Sequence, residues 1–240
     1  MWWVWHRVPL SVAAFLALCA AISLTVALNG PPWLRSRLRC PEAANLVNAS
    51  QPHEQEAFTG WMVLGPWQGS MMWQCGLGPR YSEIQLFPEL VWQSNPALHL
   101  LSLSSAVLGG VFDVTGTALA LWNIFGSPTF TIAGPAGIYL CLLLSVVFPS
   151  MSLILLWASA SLAGLMSKVA NAPPPPPHPL VPTGVQAASG TWLVLVGGIV
   201  PSLLAALSVW ASGMPPPLPR AQKPPPPLDR PHPALPELLY

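Results

Sequence analysis

The sequence predicts an all-α membrane protein, a four-transmembrane-helix bundle with a small, strand-rich, disulfide-linked extracellular loop. With 9 Lys+Arg and 8 Asp+Glu, only 17 of the 240 residues (7%) are charged, whereas soluble domains average about 25%. There is no charge in residues 8–34 or 169–219, and only Asp113 is charged in 90–167. These stretches exceed the roughly 20 residues that cross a bilayer as a helix. A soluble enzyme is therefore excluded.

The composition also excludes a nucleic-acid-binding protein, because a net charge of +1 without a basic cluster cannot neutralise phosphates. The five histidines, at positions 6, 53, 99, 178 and 232, show no metal-ligand spacing with cysteines or carboxylates. Asp113 stands alone in its hydrophobic run, so the paired acids of an intramembrane protease are absent from the sequence. We therefore expect no enzyme activity, no metal and no cofactor.

The first predicted helix covers residues 8–28 and follows a cytoplasmic N-terminus, residues 1–7, that contains three tryptophans and an arginine. Tryptophan rings favour the bilayer interface, and arginine favours its cytoplasmic side. A cleaved signal peptide is the alternative. We favour a retained helix, because signal peptides have hydrophobic regions of about 7–15 residues and residues 26–30 (VALNG) form a poor cleavage site.

Three further hydrophobic runs predict helices at residues 98–122, 137–166 and 191–213. Pro149 lies inside the third helix and is expected to kink it, because proline lacks a backbone N–H and clashes with the preceding turn. Backbone groups in lipid must pair within the chain, and no alternation typical of a membrane barrel appears, so helices are expected. The connections are a short cytoplasmic loop (123–136), an extracellular Pro-rich connector (167–190) and a cytoplasmic Pro-rich tail (214–240).

Residues 29–97 form the one long polar segment and hold nine of the 17 charged residues. The segment contains the sequon Asn48-Ala49-Ser50, which is glycosylated only in the secretory lumen. It also contains Cys40 and Cys75, whereas the other two cysteines lie in predicted helices. An oxidising exterior would join this pair and close a loop of about 35 residues, which stabilises a fold by roughly 3–4 kcal/mol. Two free thiols in a cytosolic loop are the alternative.

The sequon and the cysteine pair both favour an extracellular loop, which places both termini in the cytoplasm. The positive-inside rule does not orient the chain, because basic residues are divided about evenly between the two sides. The loop is too rich in large aromatic residues to stay unfolded in water. We therefore predict a small folded cap, pinned by the disulfide and packed on the membrane helices. Its aromatic residues are Trp33, Trp61, Trp67, Trp73 and Phe87.

Several short motifs resemble the clarin family, and more closely its first and second members than its third. In the loop they are residues 46–50 (LVNAS), 74–80 (QCGLGPR) and 87–90 (FPEL). Further along the chain they are 98–99 (LH), 116–118 (GTA), 123–128 (NIFGSP), 134–139 (GPAGIY), 167–171 (SKVAN) and 238–240 (LLY). Trp33, Gly65-Pro66-Trp67 and Cys75 are also similar, more distantly, to the claudin pattern of W, GLW and C.

The chain departs from the clarin pattern in three places. Clarins have Gly-Leu-Phe where this chain has Gly65-Pro66-Trp67, they lack the proline tracts at 173–177 and 224–227, and an uncharged residue is expected at Asp113. These differences leave the fold prediction unchanged. A function carried by the tail or by the loop before the fourth helix does not follow from the resemblance.

Asp113 is the one ionisable residue deep in a predicted span, where burying a charge costs roughly 2.5–3.5 kcal/mol on insertion scales. Gly109, Gly116 and Ala120 share its helix face, and small residues let helices approach closely in lipid. We favour a structural role, an interhelical hydrogen bond to a serine on a neighbouring helix. The alternative is a proton or ion pathway through Asp113.

The tail, residues 214–240, is rich in proline and is expected to be extended. Residues 216–219 (PPLP) suit a WW-type domain, and the terminal Leu238, Leu239 and Tyr240 suit a PDZ-type groove. A solvated tail without partners is the alternative.

The resemblance to clarins implies a non-enzymatic plasma-membrane organiser that associates laterally with other membrane proteins. It also implies maintenance of hair-cell stereocilia, a link to cortical actin, and a role in hearing. A channel or transporter subunit that uses Asp113 and a claudin-like adhesion protein are the alternative functions.

Overall fold

The computed structural model of the protein describes residues 2–47, 52–76, 78–86, 96–126, 134–162, 164–172 and 178–212. The strands fall into three groups along these ranges, β1, β2 to β4 and β5, which are separated by helices. In chain order the elements are α1 (Trp2–Asn29), β1 (Leu34–Arg39), α2 (Pro41–Leu46), α3 (Pro52–Glu56), β2 (Thr59–Leu64), β3 (Gln68–Gln74), β4 (Pro79–Gln85), α4 (Pro96–Phe125), α5 (Pro135–Ser161), α6 (Leu165–Ala170), β5 (Val181–Ala187), α7 (Ser189–Trp192), a π-helical stretch (Leu193–Ile199) and α8 (Val200–Ala211).

Four of these helical segments are long and apolar enough to cross a membrane, which confirms the predicted fold class. They are α1, α4, α5 and the continuous segment Ser189–Ala211, which we call the fourth membrane helix. Each neighbouring pair packs together in the order α1, α4, α5, fourth helix and back to α1, so the four helices close a ring. α4 and α5 begin at Pro96 and Pro135, where proline is favoured because the first N–H of a helix has no intrahelical partner.

The third membrane helix is shorter than the sequence suggests. α5 ends at Ser161, and the chain turns through Gly164, whose φ of +64° is left-handed, before α6 begins at Leu165. The residues expected to extend this helix to Met166 instead pack in the core beneath the cap, where Leu165 and Met166 are almost fully buried. A glycine provides this reversal because other residues rarely adopt positive φ.

The fourth membrane helix contains a wider turn just before Pro201. Residues Leu193–Ile199 are π-helical, and regular α-helix resumes at Val200. A proline inside a helix removes one hydrogen bond and its ring clashes with the carbonyl four residues earlier. The π-helical stretch relieves that clash while the backbone remains paired, as lipid requires.

The cap is built on a five-stranded antiparallel sheet with the strand order β4-β3-β2-β1-β5. β1 alternates strictly, with Leu34, Ser36 and Leu38 buried and the arginines between them exposed. The buried face packs against the outer ends of the membrane helices and against α2 and α6. The predicted strand-rich loop is therefore confirmed for β1 to β4.

The fifth strand comes from the segment predicted to be a Pro-rich connector, residues 167–190. β5 pairs with β1 along its whole length, with a register shift between Ser36 and Arg37. Gly184, at φ +67°, lies at this irregularity, as expected for a bulge that needs a left-handed residue. Pro182 is tolerated because β5 is an edge strand, where a missing N–H need not break a ladder. The sequence analysis did not predict a strand at residues 181–187.

Each of the two loops of the cap is also closed on itself at one point. Cys40, directly after β1, and Cys75, directly after β3, form the expected disulfide. The amide group of Asn171 donates to the carbonyl of Leu180 and accepts from its N–H. This pair of bonds fixes the chain where it enters β5.

Loss of the disulfide should destabilise the cap. We expect the double variant Cys40→Ser/Cys75→Ser to lower its free energy of unfolding by about 3–4 kcal/mol, because a 35-residue loop is no longer closed in the unfolded chain. Limited proteolysis of the full chain in detergent, with and without denaturant, measures this change. Cys141→Ala is the control, since Cys141 is a free cysteine in α5. Equal protease resistance of all three proteins would contradict the prediction.

Candidate functional site

A polar layer crosses the middle of the helix bundle. Asp113 of α4, Ser145 of α5 and Ser202 of the fourth helix are all fully buried. One apolar cluster joins the cap to the outer parts of the helices, and a second fills the opposite end of the bundle. On each of these three helices the polar residue lies between the residues of the two clusters.

Asp113 connects two membrane helices directly. The Ser202 hydroxyl donates to Asp113 Oδ1 at 2.9 Å and also lies 2.9 Å from the Gly198 carbonyl, so its single hydrogen is shared. Ser145 is a second hydroxyl beside the carboxyl group. This is the kind of bond that the structural interpretation of Asp113 predicts.

The second carboxyl oxygen, Asp113 Oδ2, is buried and has no hydrogen-bond partner within the described part of the chain. A buried carboxylate without partners for both oxygens is costly. No other acidic or basic side chain in the described parts of α4, α5 or the fourth helix lies in this layer.

Small residues bring α4 and α5 into close contact at the same depth. A Cβ atom on Gly109 would lie 2.4 Å from Pro149 Cγ, and one on Gly116 would lie 3.3 Å from Leu142 Cδ2. About two turns from Gly109 towards the cap, Ser102 donates to the Ser152 carbonyl at 2.9 Å. The small face predicted around Asp113 is thus a helix–helix contact.

The cap is attached to the bundle through the end of α1. The indole Nε1 of Trp33 donates to the Ala27 carbonyl at 2.8 Å, and that of Trp67 donates to the Leu28 carbonyl at 2.7 Å. The last carbonyls of a helix lack intrahelical donors, so both indoles satisfy groups that would otherwise be unpaired. The side chains of Trp33 and Trp67 therefore complete the hydrogen bonding at the C-terminal end of α1.

A third contact joins the cap to α4. Nε2 of His99, in the first turn of α4, lies 3.1 Å from the Pro66 carbonyl between β2 and β3. Because a carbonyl only accepts, Nε2 carries the hydrogen. The ring is buried, and its Nδ1 has no partner among the described residues.

The start of the fourth helix is held by the same segment of the cap. Gly190 N–H donates to the Pro32 carbonyl at 2.7 Å, and Ala188 N–H donates to the Trp33 carbonyl at 2.9 Å. The Thr191 hydroxyl also donates to the Trp33 carbonyl. A Cβ on Gly190 would lie 2.4 Å from Trp33 Cδ1, so glycine is needed for this approach.

The structure brings together only some of the predicted site residues. It joins Cys40 to Cys75 and places Asp113 beside a serine. The sequon at Asn48 and the terminal Leu238, Leu239 and Tyr240 lie outside the described residues. The described residues contain no group of three His, Cys, Asp or Glu side chains able to hold a metal ion.

Sequence reasoning missed the roles of His99 and Asn171. Each is a polar residue between apolar neighbours. His99 falls in motif 98–99 and Asn171 in motif 167–171, both of which resemble the family. The motifs contain both residues, but the partners in these roles are backbone groups outside the motifs, nine residues away for Asn171 and 33 for His99. No sequence pattern identifies a backbone partner.

Comparison with known proteins gives consistent matches. The profile of a family described as Clarin-2-like matches residues 5–174. Clarin-1 of Mus musculus is 31% identical over 165 residues, which cover 69% of this chain and 71% of that protein. Clarin-1 of Homo sapiens is 32% identical over 166 residues, with coverage of 69% and 71%. Clarin-2 of Mus musculus is 30% identical over 168 residues, with coverage of 70% of each chain.

The interhelical bond of Asp113 is testable by a double-mutant cycle. We expect Asp113→Ala and Ser202→Ala, each of which removes one partner of the bond, to reach the cell surface at normal levels, with a coupling free energy of about 0.6 kcal/mol and at most about 1.7. Thermal unfolding of the purified proteins in detergent measures the coupling. Ser150→Ala is the control, because Ser150 bonds only within its own helix. A membrane current that is lost in Asp113→Asn at normal surface delivery would support the ion-pathway alternative.

Proposed function

Because this chain belongs to the clarin family of tetraspan membrane proteins, we propose that it is a non-enzymatic organiser of membrane complexes. Its role is to maintain actin-filled projections such as hair-cell stereocilia, and so to serve hearing. It acts in the plasma membrane by lateral association with other membrane proteins. Its tail links those complexes to cortical actin.

The observation that carries this proposal is the firm attachment of the cap to the bundle. Three side chains of the cap and of α4 bond across the boundary, and β5 binds both outer loops into one sheet. A partner held by the cap is thereby fixed in position relative to the membrane helices. That property suits an organiser, whereas a transporter needs parts that move against each other.

The outward orientation of the cap is part of the proposal. A disulfide persists in an oxidising exterior, and Cys40–Cys75 lies in the same loop as the Asn48 sequon. Both termini are then cytoplasmic. The tail can present its WW-type motif and its terminal Leu238-Leu239-Tyr240 to cytoplasmic partners.

Lateral association uses the outer surface of the bundle. Exposed apolar side chains run along every membrane helix, for example Phe15, Val114 and Ile154. In lipid such surfaces bind acyl chains or other helices without a hydrophobic driving force. Partners are therefore selected by shape and by the parts outside the membrane, namely the cap and the tail.

The orientation is tested by glycosylation. We expect the wild-type chain expressed in mammalian cells to shift in electrophoretic mobility on glycosidase treatment, and Asn48→Gln to lose that shift. Labelling of intact cells with an impermeant maleimide after mild reduction should reach Cys40 and Cys75. Labelling of both thiols only from the cytosol, without reduction, would contradict an outward cap.

The organising role is tested by the position of the full chain in epithelial cells that carry microvilli. We expect several-fold enrichment in the projections over the flat membrane, reduced when residues 238–240 are deleted and after actin depolymerisation. Deletion of residues 224–227 is the matched control within the tail. An even distribution of the wild type at normal surface levels would contradict the role, whereas an unaffected deletion variant would contradict only the terminal motif.

A further inference from the structure

Three arginines form a row on the exposed face of the cap sheet. Arg35, Arg37 and Arg39 alternate with buried residues along β1, so all three project from the same face. Alternate residues of a strand are about 6.8 Å apart, so the row is roughly 14 Å long. β1 has a neighbouring strand on each side. The row, which we call the arginine row, therefore lies within the sheet face and not at its edge.

The charges of the arginine row have no partner among the described residues. None of the three guanidinium groups makes an ion pair or a hydrogen bond there. Three like charges on adjacent positions of one face repel each other and stabilise nothing in the cap. Pairing within the described part of the cap therefore does not account for the row.

A depression of about 680 Å³ lies along the row. Its lining includes the three arginines together with Trp61, Thr59 and Gln74. Trp61 pairs directly with Arg37 across β1 and β2 and is half-buried, so part of its ring is accessible. The depression thus combines cations, an aromatic ring, a hydroxyl and an amide.

Two carboxylates limit the positive region. Glu56 lines one part of the depression. Glu83 lies on the same face but on β4, three strands from Arg35 by the register of the sheet, which is about 14 Å. The positive region is consequently a narrow strip along β1 and β2 and not a broad basic surface.

From this arrangement we infer that the cap binds an extended anionic polysaccharide that carries sulfate groups. Guanidinium groups bind sulfate and carboxylate oxygens through two parallel hydrogen bonds, and a row of them at regular spacing matches a linear chain of repeated anions. The Trp61 ring offers an apolar face for a sugar ring, while Thr59 and Gln74 offer partners for its hydroxyls. A phosphate or an isolated acidic side chain would need only one of the three arginines.

This inference rests on the proposed outward orientation, since such polysaccharides lie outside the cell. The binding experiment is done with purified full chain in detergent, so its result is independent of orientation and of the localisation experiment. The probes are a sulfated heparin oligosaccharide and the same oligosaccharide after complete desulfation.

We expect the sulfated probe to bind at least tenfold more tightly than the desulfated one. The triple variant Arg35→Gln/Arg37→Gln/Arg39→Gln should lose at least tenfold in affinity, and Arg37→Gln alone should lose several-fold. Arg80→Gln is the matched control, because Arg80 is an exposed cap arginine on β4 that pairs with Trp73 and lies outside the depression. A retained Cys40–Cys75 bond and an unchanged melting temperature establish that the variants are folded.

The chemical class of the ligand is decided by Trp61→Leu and by competing probes. We expect this variant to weaken oligosaccharide binding several-fold without affecting binding of poly-glutamate. Equal affinity for poly-glutamate and the sulfated probe would overturn the assignment in favour of an acidic protein segment. Binding only to vesicles of anionic lipid, an equal loss in Arg80→Gln, or no loss in the triple variant would each overturn it as well.

Discussion

The whole outer half of the protein depends on how the last carbonyls of α1 are satisfied at the membrane boundary. These groups have no donors within the helix, and the chain supplies the indoles of Trp33 and Trp67 from two different parts of the cap. Because each indole has one N–H in a fixed direction, the two bonds set both the height and the rotation of the cap on α1. The sheet is therefore positioned by hydrogen bonds and not only by apolar contact.

Trp33 extends this constraint from α1 to the fourth helix. Its backbone carbonyl accepts from Ala188 and Thr191, and its ring leaves space only for glycine at position 190. The residues between β5 and the fourth helix are thus held against the residues between α1 and β1. This contact explains why a strand from the second outer loop completes a sheet that the first loop begins, and why the cap and the bundle share one apolar core.

The sequence predicts the parts of this fold that depend on local composition. Four long apolar runs, one of which contains Asp113, require four helices in lipid, and two cysteines in one polar loop predict the disulfide. β5 was missed because Pro182 and Gly184 are poor strand residues and are tolerated only by the edge position and the bulge. The pairing of Asp113 with Ser202 needs the relative rotation of two helices, which composition does not contain. The arginine row is visible as the alternation LRSRLR, but only the sheet shows that its cationic face stays open.

The polar groups that hold the helices together are not the same as those that are available to bind partners. Inside the bundle, the hydroxyls of Ser102 and Ser202 are used for contacts between helices, so the membrane interior offers few polar groups to a ligand. The lipid-facing side chains are apolar and bind other helices without chemical selectivity. Chemical specificity is consequently left to the cap face and the tail. Since the cap is bonded to α1, α4 and the fourth helix, a ligand bound at the cap face would contact a surface that is fixed relative to all three helices.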